Sequence, residues 1–141
     1  MTDSTTLHLA PRVSPGILAP KTGGEIAFER VLVEVRNGGT APVSGLQLKL
    51  EAHQGPELIC ELDEAMEGDL MPGAARAWDL YDLFLEKGHG LPSKVHMFGV
   101  KAALGWDFTV RASVGSAEAA FRFRWSGNPA GPITAAVEDL R

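Results

Sequence analysis

Residues 106–125, WDFTVRASVGSAEAAFRFRW, have the pattern of a β-hairpin whose strand register can be predicted from the sequence. Two stretches of alternating apolar and polar residues flank Gly115-Ser116, which has the composition of a two-residue turn. A slip of one residue would move one strand's aromatic side chains to the wrong face. The predicted pairs are Trp106 with Trp125, Phe108 with Phe123, Val110 with Phe121, and Asp107 with Arg124. Apolar residues meet apolar residues and an acid meets a base, so we predict an antiparallel ladder with one buried face.

The length and cysteine content of the chain predict one domain that folds without covalent cross-links. A chain of 141 residues can bury about two-thirds of the surface that its unfolded form exposes, which is enough for a hydrophobic core. Cys60 is the only cysteine, so neither an intrachain disulfide nor a zinc site made of cysteines can form. We expect residues 1–125 to form the domain and residues 126–141 to form a flexible or docking tail.

The charge of the chain argues against a nucleic-acid partner. The formal net charge is −5 and the pI is near 5.3, whereas binding to phosphates needs a concentrated basic surface. The first residues, MTDSTTLHLAPRV, lack the basic and apolar regions of a signal peptide, and no apolar run is long enough to span a membrane. We therefore expect a cytoplasmic protein without membrane insertion, exported only if a leader has been removed.

Several other segments alternate apolar and polar residues, as strands with one solvated face do. The clearest are residues 28–37, with Val31, Val33 and Val35 on one face, and residues 45–53, with Leu46, Leu48 and Leu50 on one face. Further strands are predicted at 6–13, 57–62, 74–80 and 94–104, and the Pro- and Gly-rich segment 14–24 is predicted as a loop. Seven to nine short strands without a long amphipathic helix predict an all-β fold of two packed antiparallel sheets.

The segment RNGGTAPVSG, residues 36–45, lies between two of these strands. It resembles the inter-strand loop of immunoglobulin-like modules of the CARDB and NEW3 type, in which an Asn-x-Gly turn and small polar residues precede the next strand. The resemblance covers about residues 31–51 and implies an immunoglobulin-like β-sandwich with a non-catalytic role in adhesion or spacing, although those modules usually carry an export signal. The composition alone also predicts a loop, since Asn37, Gly38 and Gly39 tolerate left-handed backbone angles.

Residues 79–92, DLYDLFLEKGHGLP, predict one short helical insert, capped by Asp79 and ended by Gly88. A helix of this length is not stable alone, so we expect it to pack against the sheets. A second interpretation is that the insert forms a binding rim, because inserts on a rigid sandwich often carry recognition. The apolar residues that would then contact a partner protein are Tyr81, Phe84, Leu85, Leu91 and Phe98.

The same insert contains a candidate metal site. Asp82, Glu86 and His89 have helical spacing, so their side chains could converge on a divalent cation, although Gly88 is expected to end the helix first. The alternative is a solvated helix face. We predict no metal and no other cofactor.

The segment between Glu57 and Asp69 contains six acidic residues and no basic residue. It lacks the spacing of an EF-hand, which leaves two interpretations: a calcium-binding loop, or a solvated strand edge whose charges discourage aggregation. Cys60 lies within this segment between an apolar and an acidic neighbour, which predicts a buried, unreactive thiol.

The three tryptophans allow an alternative function. Aromatic residues on one face of the hairpin are most simply core residues. Trp78, Trp106 or Trp125 would instead bind a carbohydrate or another small ligand if its indole ring were exposed for stacking.

The C-terminal segment SGNPAGPITAAVEDLR begins with a Pro- and Gly-rich stretch. Ile133, Val137 and Leu140 then have the spacing of one or two helical turns, which predicts either a frayed end or a helix that docks on a second subunit.

The chain contains none of the common catalytic sequence signatures, such as a GxSxG elbow, a P-loop or a GxGxxG turn. We therefore predict a non-enzymatic protein-interaction or structural module. Its partner is another protein or a second copy of the chain, engaged through the insert or a sheet edge. Small-ligand binding is the alternative, and a metal-dependent enzyme is a remote one.

Overall fold

A computed structural model describes residues 7–18, 26–87, 104–128 and 132–140. This part of the chain forms eight strands and one short helix, which confirms the all-β class, the range of strand numbers and the single helical insert. The predicted strand at 94–104 lies outside the described residues, except for Leu104, which lies in a turn. The elements are β1 (Leu7–Leu18), β2 (Ile26–Asn37), β3 (Gln47–Gln54), β4 (Glu57–Ala65), β5 (Ala75–Asp79), α1 (Leu80–Lys87), β6 (Asp107–Val114), β7 (Ala117–Gly127) and β8 (Ile133–Asp139).

The strands follow the order β1-β2-β8-β7-β6-β3-β4, and β5 pairs with β2 next to this path. All neighbouring strands are antiparallel except β2 and β8, which meet in parallel at Phe28 and Ile133. The sheet is therefore mixed, and the prediction of purely antiparallel pairing is wrong at this one position. β8 runs antiparallel to β7 on one side and parallel to β2 on the other.

β6 and β7 form the predicted hairpin, and the predicted register holds from Asp107 opposite Arg124 to the turn. Trp106 precedes β6, so its predicted pairing with Trp125 is not part of the ladder. Phe108 lies opposite Phe123, and Val110 lies opposite Phe121. Arg124 donates two hydrogen bonds to the Asp107 carboxylate, at 2.9 and 2.6 Å. The inner face of the hairpin is buried in the core, as expected from the burial energy of aromatic side chains.

The other alternating strands also bury the predicted face. The buried residues include the valines of β2 and the leucines that precede or belong to β3. Polar residues alternate with them on the solvated side, which explains why the local sequence pattern was sufficient here. These core residues are Val31, Val33, Val35, Leu46, Leu48 and Leu50.

β1 is longer than predicted, because residues 14–18 continue the strand instead of forming a loop. They pair with β2 as far as Leu18 opposite Ile26. Pro15 does not end the strand because β1 lies at the end of the sheet order, and a proline is tolerated where its nitrogen faces away from the ladder.

The C-terminal segment forms strand β8, so the helical interpretation of Ile133, Val137 and Leu140 is wrong. Ile133 is 1% exposed, and Val137 lies opposite Phe123 of β7. The Glu29 carboxylate accepts a hydrogen bond of 2.9 Å from the backbone N–H of Ala135, which connects β8 to β2. β8 pairs with β7 on one side and with β2 on the other, and this pairing outweighs the helical preference suggested by the spacing of three apolar residues.

Candidate interaction site at the edge of the sheet

Helix α1 packs against β2, β4 and β5 of the sheet. The Asp79 carboxylate accepts a hydrogen bond of 2.9 Å from the backbone N–H of Tyr81, which caps the first turn as predicted. Asp79 also forms an ion pair with Arg30 of β2, so the start of the helix is held on the sheet. Tyr81 and Phe84 are 8% and 2% exposed.

The burial of Tyr81 and Phe84 corrects the prediction that they contact a partner protein. Their rings lie in the aromatic core, where Phe84 packs 5.4 Å from Phe108, measured between ring centroids. The side chain of Leu85, and the whole of Leu91 and Phe98, lie outside the described residues. The insert is thus a core element in the part that the structure describes.

Two of the three candidate metal ligands, Asp82 and Glu86, lie within the described residues. Asp82 and Glu86 are exposed on α1, Asp82 lies 3.8 Å from the Arg30 guanidinium, and His89 is outside the described residues. Burial raises the pKa of Asp82 above its ordinary value, and the nearby Asp79 carboxylate adds to this effect. Among the described residues, no three His, Cys, Asp or Glu side chains form a group that could hold a metal ion, and this includes the acidic segment from Glu57 to Asp69.

The tryptophans differ in exposure. Trp125 is 1% exposed, and its Nε1–H donates a hydrogen bond of 2.8 Å to the backbone carbonyl of Glu29, which corrects its assignment to a ligand site. Trp106 and Trp78 are half-buried against the core. Only these two keep indole surface that a ligand could contact.

Cys60 is buried beside the carbonyl of Leu83 in α1, with Sγ 3.9 Å from the carbonyl oxygen. Burial raises the pKa of this thiol to about 11. The thiol is therefore protonated at neutral pH, and a nucleophilic role has no support.

The strands at the two ends of the sheet order, β1 and β4, differ in their ability to accept another strand. Pro11 and Pro15 of β1 are four residues apart, so they face the same side of the strand. Because a proline in a strand directs its nitrogen away from the ladder, both remove a backbone donor from the outer edge. β1 is thus a poor acceptor for a further strand.

β4 contains no proline and pairs with β3 along one side. No strand in the described part of the chain pairs with its other side. Helix α1 contacts the first half of β4 at Cys60, and residues 61–65 form the section of this edge beyond that contact. Glu61, Asp63 and Glu64 are exposed there.

The charges around this edge are only partly balanced within the sheet: Asp63 lies opposite Lys49 of β3, but Glu61 has no basic residue opposite it. Glu61 lies directly opposite Glu51 of β3, and both side chains are exposed. Two like charges in directly opposite positions destabilise a sheet, by roughly 0.2–1 kcal/mol on the scale of cross-strand pairs. Arg111 of β6 lies opposite Glu51 on its other side and offsets part of this repulsion. Together with Lys49 and Asp63, these residues line a groove of about 770 Å³ on the outer face of the sheet.

A smaller cavity of about 260 Å³ lies between β4 and β5. Glu64 and Glu67 line one side, and Arg76 and Trp78 line the other, while Leu48 contributes its buried side chain. Sequence analysis singled out Trp78 and the acidic segment separately, but nothing local indicated that they would meet. Their proximity depends on β5 pairing with β2 and β4 pairing with β3.

Comparison with models of known protein families and with curated proteins found no match for this chain. Within the described residues, no helix is long and apolar enough to cross a membrane.

Proposed function

We propose that the chain is a non-enzymatic protein-interaction module of the immunoglobulin-like β-sandwich type that binds an extended, basic segment of another protein along β4. The observation that carries this proposal is the proline-free edge at residues 61–65, where an acidic strand has no strand partner within the described residues. Strand addition would supply main-chain hydrogen bonds to this edge.

The charge of the edge supports a basic partner. Glu61 and Asp63 point to the same face of β4, and every second side chain of an added strand would point to that face as well. Lysine or arginine at those positions would relieve the repulsion between Glu51 and Glu61. An acidic partner strand would increase it, so the edge selects between the two by charge.

Of the two strands that end the sheet order, β4 is the better acceptor of a further strand. An added strand at β1 would meet Pro11 and Pro15, which provide no N–H. The same prolines argue against a dimer formed through β1. The proposal therefore places the partner at β4 and not at β1.

The test is a titration of isotope-labelled protein with a short peptide of alternating lysine and valine, followed by backbone amide chemical shifts and hydrogen exchange. We expect shifts and slowed exchange at residues 61–65, with an affinity that falls as salt is added. A peptide of alternating glutamate and valine is the matched control. No binding of the lysine peptide, or shifts centred on β1 or α1, would contradict the proposal.

Charge-reversed variants separate the site from a general effect of net charge. The change Glu61→Lys with Asp63→Lys should weaken binding of the lysine peptide about tenfold, since each exposed charge pair contributes on the order of 1 kcal/mol or less. Glu138→Lys on β8 alters another exposed acid, away from β4. If Glu138→Lys weakened binding of the lysine peptide as much per reversed charge as the double variant at β4, the attraction would be non-specific.

A further inference from the structure

We propose that the cavity between β4 and β5 receives one arginine side chain of the added strand, with the guanidinium group on the indole of Trp78 and between the carboxylates of Glu64 and Glu67. The inference rests on the proposed strand addition at β4 and adds a sequence requirement to it.

The cavity lies where an inward side chain of the added strand would enter. Glu64 lies opposite Leu48, which is fully buried, so Glu64 is on the inner face of β4, in contrast to Glu61 and Asp63. A strand beside β4 also alternates its side chains between the two faces. The side chain next to Glu64 would therefore point into the cavity while its neighbours point to the outer face.

Trp78 has the surface that such a side chain needs. It lies opposite Val33, a core residue, so its indole points inward, but it remains half-buried and lines the cavity. Its Nε1–H forms no hydrogen bond with the described residues, whereas the Nε1–H of Trp125 is bonded to Glu29. Tryptophan is the aromatic residue that attracts a cation most strongly.

The size and polarity of the cavity favour one long, planar cation. A volume of about 260 Å³ is below the 300–1,000 Å³ that is typical of small-molecule pockets, but it can hold one side chain. Met66 provides apolar contact for the methylene stem, and two carboxylates match the donors of a guanidinium group. Arg76 also lines the cavity, which leaves a single net negative charge and discourages a second cation.

The first test uses small probes and follows the indole N–H signals of the labelled full chain. Methylguanidinium should shift the signal of Trp78 and leave that of Trp106 unchanged. Trp78→Leu and Trp106→Leu assign the two signals and form a matched pair, because both indoles are half-buried against the core. A methyl glycoside that shifts Trp78 when methylguanidinium does not would overturn the inference in favour of a carbohydrate site.

The second test compares two lysine–valine peptides that carry either arginine or citrulline at the position facing Glu64. Citrulline keeps the shape of arginine and removes its charge. We expect the arginine peptide to bind about tenfold more tightly, since a desolvated cation over tryptophan with charge-assisted hydrogen bonds contributes this much. Trp78→Leu should abolish the difference, and Trp106→Leu should preserve it.

A further variant guards against loss of folding. Glu64 and Glu67 are exposed, so Glu64→Gln with Glu67→Gln should leave the fold intact and still reduce the preference for arginine. Equal affinities for the two peptides at β4 would overturn the arginine site and leave the proposed function standing. A shift of Trp78 by methylguanidinium without peptide binding would instead overturn strand addition and leave the guanidinium site standing.

Discussion

The side-chain amide of Asn37 donates a hydrogen bond of 2.9 Å to the carbonyl oxygen of Leu70, 33 residues further along the chain. Its second amide hydrogen bonds to the carbonyl of Ala41 at 2.9 Å, and its side-chain oxygen accepts the N–H of Gly39 at 2.9 Å. Asn37 is 0% exposed, so its side chain is a fully satisfied polar group in the core. It holds the end of β2 against two loops. Asn37, Gly38 and Gly39 tolerate left-handed backbone angles, but none of the three adopts one.

Replacing Asn37 should destabilise the protein strongly. Asn37→Ala leaves the carbonyl of Ala41 and the N–H of Gly39 without these partners, so we expect a loss of about 2–4 kcal/mol in the free energy of unfolding. Denaturant unfolding measures this loss. Thr40→Ala, at an exposed position of the same loop, should change the free energy by less than about 0.5 kcal/mol. A loss for Asn37→Ala as small as that of Thr40→Ala would contradict the role assigned to the buried amide.

Gly127 controls how closely the C-terminal strand approaches β7. Its φ is 130°, and a Cβ there would press against the carbonyl oxygen of Pro132 and lie 3.3 Å from Cα of Ile133. Gly127→Ala should therefore cost at least about 3 kcal/mol, more than the roughly 1–2 kcal/mol of left-handed strain alone. Gly55→Ala is the matched control, because Gly55 has φ 62° and open space around the position of a Cβ. Thermal unfolding of both variants gives the comparison, and equal costs would exclude steric conflict at Gly127.

Local patterns predicted the parts of the fold that depend on neighbouring residues. The alternation around Val31 and the cap at Asp79 are examples, because each requires only a few adjacent positions. The place of β8 could not be predicted in this way, since it depends on Glu29 bonding to Ala135 106 residues later. The burial of Trp125 depends on the same residue.

The candidate site shows the same limit. The acidic character of β4 is visible in the sequence, but its position at the end of the sheet order is a property of topology. Trp78 and Glu64 come to line one cavity only because two different strand pairings place them there. A sequence pattern can single out each of these residues, but it contains no signal that they lie in the same cavity.

Burial of Cys60 should make stability depend on alkaline pH. The pKa of the folded thiol is about 11, above the ordinary value of 9.0, so folding favours the protonated thiol. This contribution is fully present below pH 9 and is lost as pH rises toward 11. The difference in unfolding free energy between the wild type and Cys60→Ala, measured across this range, should shrink with increasing pH.

The same burial predicts slow reaction with thiol reagents at neutral pH. Ellman's reagent should modify Cys60 in denaturant at once and in the folded protein only at the rate of opening of α1 from β4, because Sγ lies beside the Leu83 carbonyl. Fast modification of the folded protein would show that this contact is not maintained in solution.

The prolines of β1 should protect the protein from self-association. Pro11→Val with Pro15→Val would restore two N–H groups on the outer edge of an end strand, and exposed Val13 already lies between them. We expect this variant to form dimers or larger species with rising concentration, as measured by light scattering coupled to size exclusion. Ser14→Val adds a β-branched apolar residue to the same strand without adding a donor, so it should keep the mass of the wild type. Identical masses for both variants at every concentration would show that the missing donors do not close this edge. Association of the double variant would instead establish that the missing backbone donors close the β1 edge.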